Sequence, residues 1–259
     1  MTVFGITMVK NEADIIAASV LHMLSQVDEV LVLDNGSYDG TREILEELPV
    51  WVLDDPEPAY YQAIRLTKLA NIARERHADW VVPFDADEVW KPLRSATIAD
   101  ALAGVPSHVG ACGAQLFDHV VTNRDVAAER DPTKRIRWRR RYPGELPKVA
   151  CRTHPRLEID QGNHRASVNG WWTSLDPLGG LLEVRHFSYR SPRQFINKVR
   201  HGAAAYAATN LPEDIGAHWR QYGRILDAEG EKGLRRIFEK HFSSTDPEAD
   251  DLVEDPAAE

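Results

Sequence analysis

The chain has 259 residues, 43% apolar and 27% charged, which are the proportions of a globular protein with a sizeable core and exclude a disordered or fibrous class. No apolar run reaches the roughly 18 residues of a membrane helix, and Met1-Thr2-Val3-Phe4-Gly5-Ile6 lacks the basic and apolar regions of a signal peptide, so a cytoplasmic protein is expected, with peripheral membrane contact left open. The formal charge of −9 is concentrated, because residues 244–259 hold seven acids and no base, and without those seven the body carries −2.

In chain order, Val3 to Val9 is a continuous apolar run of the kind found in buried parallel strands. Asn11 is a plausible cap for a helix carrying Ile15, Ile16, Ser19, Val20 and Met23 at helical spacing. Glu29 to Asp34 reads as a second strand ending in an acid, followed by the turn Asn35-Gly36-Ser37 and a short helix from Asp39-Gly40-Thr41 through Leu45. Val50 to Leu53 is a third strand, Tyr61 to Arg76 a long helix, and Asp79 to Asp85 a fourth strand that again ends in an acid. Strands alternating with helices imply a parallel sheet, in which ligands sit beyond the carboxyl ends of the strands. Asn11, Asp34 and Asp85 all fall at such ends.

The second half is less regular. Val109 to Val121 and Gly180 to Ser188 read as strands, 134–160 as strands broken at Pro143-Gly144 and Pro147, and 192–209 and 216–241 as helices. One domain over 1–243 is expected, with 91–243 as its second half. Residues 244–259 are expected to be a disordered, solubilising tail. Cys112 and Cys151 are too few for a disulfide framework and read as buried thiols, and no Cys/His spacing suggests zinc.

The chemistry centres on Phe84-Asp85-Ala86-Asp87-Glu88. Carboxylates two apart at a strand end can face the same way, and such crowded acids repel unless a cation sits between them. A hard divalent ion takes one or two carboxylates plus substrate phosphates and neutralises a diphosphate leaving group. The bland alternative is an acidic turn. Between Lys134 and Arg152, eight Lys/Arg stand against the single Glu145, and Arg135-Ile136-Arg137-Trp138-Arg139-Arg140-Arg141-Tyr142 interleaves arginines with aromatics. That segment suits a phosphate-bearing acceptor, a membrane surface or a nucleic acid, or else is a solvated strand pair or loop. Trp171-Trp172 could offer flat faces to sugar rings or pack in the core.

Val9-Lys10-Asn11-Glu12, Leu33 to Thr41, Asp79-Trp80 through Asp85-Ala86-Asp87-Glu88, and His186-Phe187-Ser188-Tyr189-Arg190-Ser191 resemble family 2-type glycosyltransferases, most closely short members with a V-K-N-E start and a D-A-D-E centre. The resemblance covers residues 3–90, resumes at His186, and is loose over 91–180. It implies an α/β fold of the GT-A type, a Rossmann-like, mostly parallel sheet flanked by helices, with 1–90 as the nucleotide-sugar-binding half and 91–243 as the acceptor half. It also implies a nucleotide-diphospho-sugar donor (a UDP-sugar is expected), Mn2+ or Mg2+, and transfer with inversion to a hydroxyl acceptor: a glycan, lipid-linked sugar, small molecule, protein or nucleic acid. Val9, Asn11 and Glu12 would lie on the first nucleotide loop. Asp34 would contact the base, Asp85 and Ala86 the ribose or metal region, and Asp87 the metal. His186 would complete the metal site, since imidazole suits Mn2+ better than Mg2+. Arg190 and Lys198 would hold the diphosphate, with Gln62, Arg65 and Lys68 near the same cleft. Inversion requires a base for the acceptor hydroxyl; Glu88, Asp118, Glu158, Asp160 and His164 are the candidates. Two competing readings are a nucleotidyltransferase and a non-catalytic domain that binds a sugar or nucleic acid. The residues after the first strand, Val9-Lys10-Asn11-Glu12, are not a Gly-rich phosphate loop and count against the former.

Overall fold

The computed structural model describes residues 1–173 and 180–256. In chain order the elements are β1 (Val3–Val9), α1 (Ile16–Gln26), β2 (Glu29–Asp34), α2 (Thr41–Glu46), β3 (Trp51–Asp54), α3 (Gln62–Glu75), β4 (Trp80–Pro83), β5 (Glu88–Pro92), α4 (Ile98–Ala103), β6 (Ala111–Thr122), α5 (Pro132–Arg135), β7 (Trp138–Arg140), β8 (Lys148–Arg152), β9 (Glu158–Ile159), β10 (Ala166–Val168), β11 (Trp171–Thr173), β12 (Leu182–His186), α6 (Pro192–Ala207), α7 (Ala217–His241), β13 (Ser243–Ser244) and β14 (Leu252–Glu254). Where one domain was expected, the chain divides into two compact units. The first holds Met1–Pro56, Gln62–Phe117 and Tyr142–His186, and the second Glu57–Tyr61, Asp118–Arg141 and Phe187–Glu259.

The first unit has the α/β architecture expected of the GT-A class. Its centre is the parallel run β3-β2-β1-β4, continued by β8 antiparallel to β4 and by the first residues of β6 antiparallel to β8. β5 and β12 form an antiparallel pair that sets His186 opposite Glu88. The apolar run of β1 is buried at every position, as a strand covered on both faces must be. Ile16, Ser19, Val20 and Met23 form the buried stripe of α1. α1 passes so close to β1 that a Cβ on Gly5 would lie 2.7 Å from Met23 Cγ, so only glycine fits there without displacement.

Asn11 does not cap α1. Its backbone is left-handed, with φ 56°, its Oδ1 accepts from Tyr38 N–H at 3.0 Å, and α1 begins only at Ile16. Short polar side chains tolerate this conformation, and it binds the loop after β1 to the loop after β2. Cys112 and Cys151 are free and buried.

The second unit is built on α6 and α7, whose core joins Phe195, Ile196 and Val199 to Leu234 and Phe238. Ser191 starts α6 by accepting from Gln194 N–H, with Pro192 in the first turn. Gly230, at φ 65°, interrupts α7 with a kink.

The acidic segment expected to be disordered has secondary structure in residues 244–256. β13 pairs with the end of β6, and β14 pairs antiparallel with β7. Arg137, Arg139 and Arg141, expected to be solvated or to meet an outside partner, pair instead with Glu254, Asp255 and Asp251. Composition argues for disorder only while a segment lacks compensating partners, and the arginines supply them. Residues 257–259 lie outside the described residues. Among the described residues no helix is long and apolar enough to cross a membrane.

Candidate active site

The carboxyl ends of the parallel strands bring one group of polar residues to one edge. Val9 is in register with Asp34, and Asp34 with Asp54. Beyond them the loops interlock: Asn11 N–H donates to Ser37 Oγ at 3.0 Å, Glu12 N–H to Thr41 Oγ1 at 2.8 Å, and Ser37 N–H to Asp34 Oδ1 at 3.1 Å. Asn35 Nδ2 donates to Asp55 Oδ2 at 3.0 Å. Arg65, buried on α3, forms an ion pair with the same Asp55. Glu12, Asp34 and Asn35 are buried. The bonds of Asn11 and Arg65 draw both into scaffolding the loops.

Asp85 follows β4 and is held from three sides. Gln62 Nε2 donates to its Oδ1 at 2.8 Å, Asn163 Nδ2 to the same oxygen at 3.2 Å, and Lys148 Nζ to its Oδ2 at 2.6 Å. Lys148 also lies 2.7 Å from Glu88 Oε1 and donates to the Gly162 carbonyl at 3.0 Å. Gln62 Oε1 accepts from Gly162 N–H at 3.0 Å. The loop 161–163 is thereby tied to the D-A-D-E turn. Burial works against the Lys148 ammonium, but the Asp85 and Glu88 carboxylates outweigh it and hold its pKa above the ordinary lysine value. Lys148 is the principal residue that sequence reasoning missed. Its one signal was a lysine opening the apolar strand Val149-Ala150-Cys151.

Glu88 is fully buried. It accepts from Asp85 N–H at 3.1 Å and from Trp90 Nε1 at 3.0 Å, with Lys148 on its other oxygen. Burial raises its pKa, and Lys148 opposes the rise. Glu88 is thereby drawn into holding the turn, with its oxygens engaged by Asp85, Trp90 and Lys148.

The two aspartates have different partners. Asp87, buried like Ala86 between them, stands with its Oδ1 3.7 Å from His186 Nε2, because β12 delivers His186 opposite Glu88. Two ligands each about 2.1 Å from one ion lie roughly 3–3.7 Å apart, so an imidazole and a carboxylate at this separation fit a shared divalent cation. Among the described residues no three His, Cys, Asp or Glu side chains are gathered as a metal site.

His164 is half-buried, and its pKa is lowered by burial and by the Lys148 charge. Its Nδ1 lies 2.9 Å from the Pro147 carbonyl, which only accepts, so Nδ1 carries the hydrogen and Nε2 the lone pair. Asp160 accepts from the His164 and Arg165 backbone N–H groups at 2.8 and 2.9 Å. Glu158 lines a groove of about 500 Å³ with Thr67, Asn71, Arg156 and Ser167, and Lys68 is exposed on α3. Asp118, Arg190 and Lys198 belong to the second unit. There Arg190 is buried and donates to the Phe187 carbonyl at 2.9 Å. Trp171 is 81% exposed, while the side chain of Trp172 lies outside the described residues.

A profile of the family described as Glycosyl transferase family 2 matches residues 6–155, which run from β1 through the D-A-D-E turn to β8. The chain belongs to glycosyl transferase family 2. Over 92 residues this family 2 chain is 33% identical to a TPR repeat-containing protein of Synechococcus elongatus, a match covering 34% of the chain and 22% of that relative. The chain thus spans about a fifth of the curated relative's length. Among solved structures it is similar to a mannosyltransferase from Pyrobaculum calidifontis in complex with GDP-Man and Mn2+, at 18% identity, covering 96% of this chain and 77% of that one, with a TM-score of 0.42. It is also similar to a glucosyl-3-phosphoglycerate synthase from Mycobacterium tuberculosis in complex with Mn2+, UDP and phosphoglyceric acid, at 20% identity over 45% of this chain and 43% of that one, with a TM-score of 0.34.

Proposed function

We propose that this family 2 chain transfers a sugar from a nucleotide diphosphate donor, a UDP-sugar, to a hydroxyl acceptor with inversion, using Mn2+ or Mg2+. The observation that carries the reading is the Asp87–His186 pair, 3.7 Å apart, beside an Asp85 locked by Lys148 at the carboxyl end of the parallel sheet. Asp87 and His186 are the residues that would hold the ion. When bound, it supplies positive charge to the departing diphosphate.

The chain's own residues do the rest. The interlocked loops around Asn11, Asp34 and Asp55 form the floor for the nucleoside. Lys148, Gln62 and Asn163 hold Asp85 in one orientation, so that it meets the ribose without first being reorganised. His164 is the base we favour. Neutral at pH 7, with the lone pair on Nε2, it accepts the proton from the acceptor hydroxyl. The acceptor oxygen bonds to the anomeric carbon while the bond from that carbon to the phosphate oxygen breaks, and the nucleoside diphosphate leaves with the electron pair.

The test is a panel of nucleotide sugars scored for donor hydrolysis and for thermal stabilisation with and without Mn2+. The expected result is stabilisation by the UDP-sugar only when the ion is present, and slow hydrolysis without acceptor. Metal-independent stabilisation with no hydrolysis of any donor would show a binding domain instead.

A further inference from the structure

Within the second unit, a basic strand edge is covered by the chain's own acidic end. β14 lies antiparallel on β7, with Leu252 opposite Arg140, Val253 opposite Arg139 and Glu254 opposite Trp138, and Asp255 N–H donates to the Arg137 carbonyl at 2.7 Å. Side chains repeat the match: Arg124 grips Glu248 through two bonds of 2.5 Å, Arg137 meets Glu254 at 3.0 Å, Arg139 meets Asp255 at 2.6 Å and Arg141 meets Asp251 at 2.6 Å. A strand added to a sheet edge is a general mode of peptide recognition, in which backbone bonds give affinity and side chains give register. Here both are present, with acids at positions 248, 251, 254 and 255 setting the register.

The hold is also weak in kind. The paired strand is only three residues long, and Leu252 is the apolar side chain it buries. In three of the four ion pairs both side chains are about half exposed, at 48% and 56%, 48% and 51%, and 47% and 62%. Exposed pairs contribute little and are screened by salt, whereas Arg139 and Asp255 are mostly covered, at 18% and 17%.

We propose that the arginine-lined edge of β7 is a docking edge for an acidic, extended polypeptide segment. Residues 248–255 occupy it in cis, and a partner's acidic segment takes it in trans. The partner is a protein with Asp and Glu at the strap's own spacing.

The test uses the full chain. A labelled peptide of residues 244–256 is titrated into wild-type protein and into the variant Glu248→Gln, Asp251→Asn, Glu254→Gln, Asp255→Asn, whose own strap is neutral. The peptide is expected to bind the variant about tenfold tighter than wild type, to lose binding as salt is raised toward about 0.5 M, and to outcompete a scrambled peptide of equal composition. Adding Arg139→Gln and Arg141→Gln is expected to abolish binding. Equal binding of the scrambled peptide overturns the proposal, as does preferential binding of a single-stranded oligonucleotide, or no peptide binding by a variant that keeps the wild-type circular dichroism. Should the variant not fold, hydrogen exchange on wild-type protein decides. The amides of 252–255 are expected to exchange faster than those of α6, and faster again in high salt; protection equal to α6 at both salt levels overturns the proposal.

Discussion

Replacing Lys148 by methionine tests the site most directly. The Lys148 side chain is 4% exposed and the Glu88 side chain not at all, so the substitution keeps the volume while removing the ammonium that lies 2.7 Å from this buried carboxylate. Breaking a buried pair by removing one partner costs about 3–5 kcal/mol. At roughly 2–4 °C per kcal/mol for a chain of this size, that is a fall in Tm on the order of 6–20 °C. The pH dependence is the sharper readout. Burial already holds Glu88 above the ordinary glutamate value of 4.5, and losing Lys148 raises it further. A carboxyl with a raised folded pKa binds its proton in the native state where the unfolded chain has released it, so it loses stability as pH rises from 4.5 upward. The deficit of Lys148→Met is therefore expected to be smallest near pH 4 and to widen toward pH 7. The double variant with Glu88→Gln is expected to recover most of it. Urea unfolding across that pH range measures each quantity. A deficit under about 1 kcal/mol at pH 7, or one that does not change with pH, would refute the buried ion-pair account.

Asp87→Asn and His186→Asn are each expected to weaken Mn2+-linked UDP binding by about 100-fold or more, with the fold retained. Titration calorimetry with and without Mn2+ measures this, and unchanged metal-linked binding in both variants would remove the ligand assignment. Gly5→Ala places a methyl 2.7 Å from Met23 Cγ and 3.2 Å from Phe84 Cε1, at an expected cost of about 1–3 kcal/mol in urea unfolding; a neutral result would show that α1 moves freely over β1. His22 has its pKa lowered from 6.5 by burial. Below 6.5 the unfolded chain takes a proton that the native state refuses, so stability is lost as pH falls through that value. His22→Gln is expected to lessen this slope by up to about 1.4 kcal/mol per pH unit, and an unaltered slope between pH 5 and 7 would count against the burial effect.

Sequence alone carried the frame of the first unit. A continuous apolar run marked β1, apolar runs ending in acids marked β2 and β4, and helical spacing marked α1 and α3, because these patterns record which face of a local segment is buried. The turn residues around Gly36 and Gly40, and the D-A-D-E stretch, placed the site at the carboxyl ends of the strands for the same local reason. What pairs with what was decided only by the tertiary structure. Lys148 reaches Asp85 across 63 positions of sequence, and no local pattern announces such a contact. Glu88 read as a residue supporting the metal motif or as a base candidate, and its ion pair with Lys148 forms only when β8 is brought to the turn. The acidic end looked unstructured because composition is blind to distant counter-charges, and the arginines that organise it lie more than a hundred residues earlier in the chain. Local periodicity follows from the geometry of helix and strand, whereas a charge takes its role from the groups that surround it after folding.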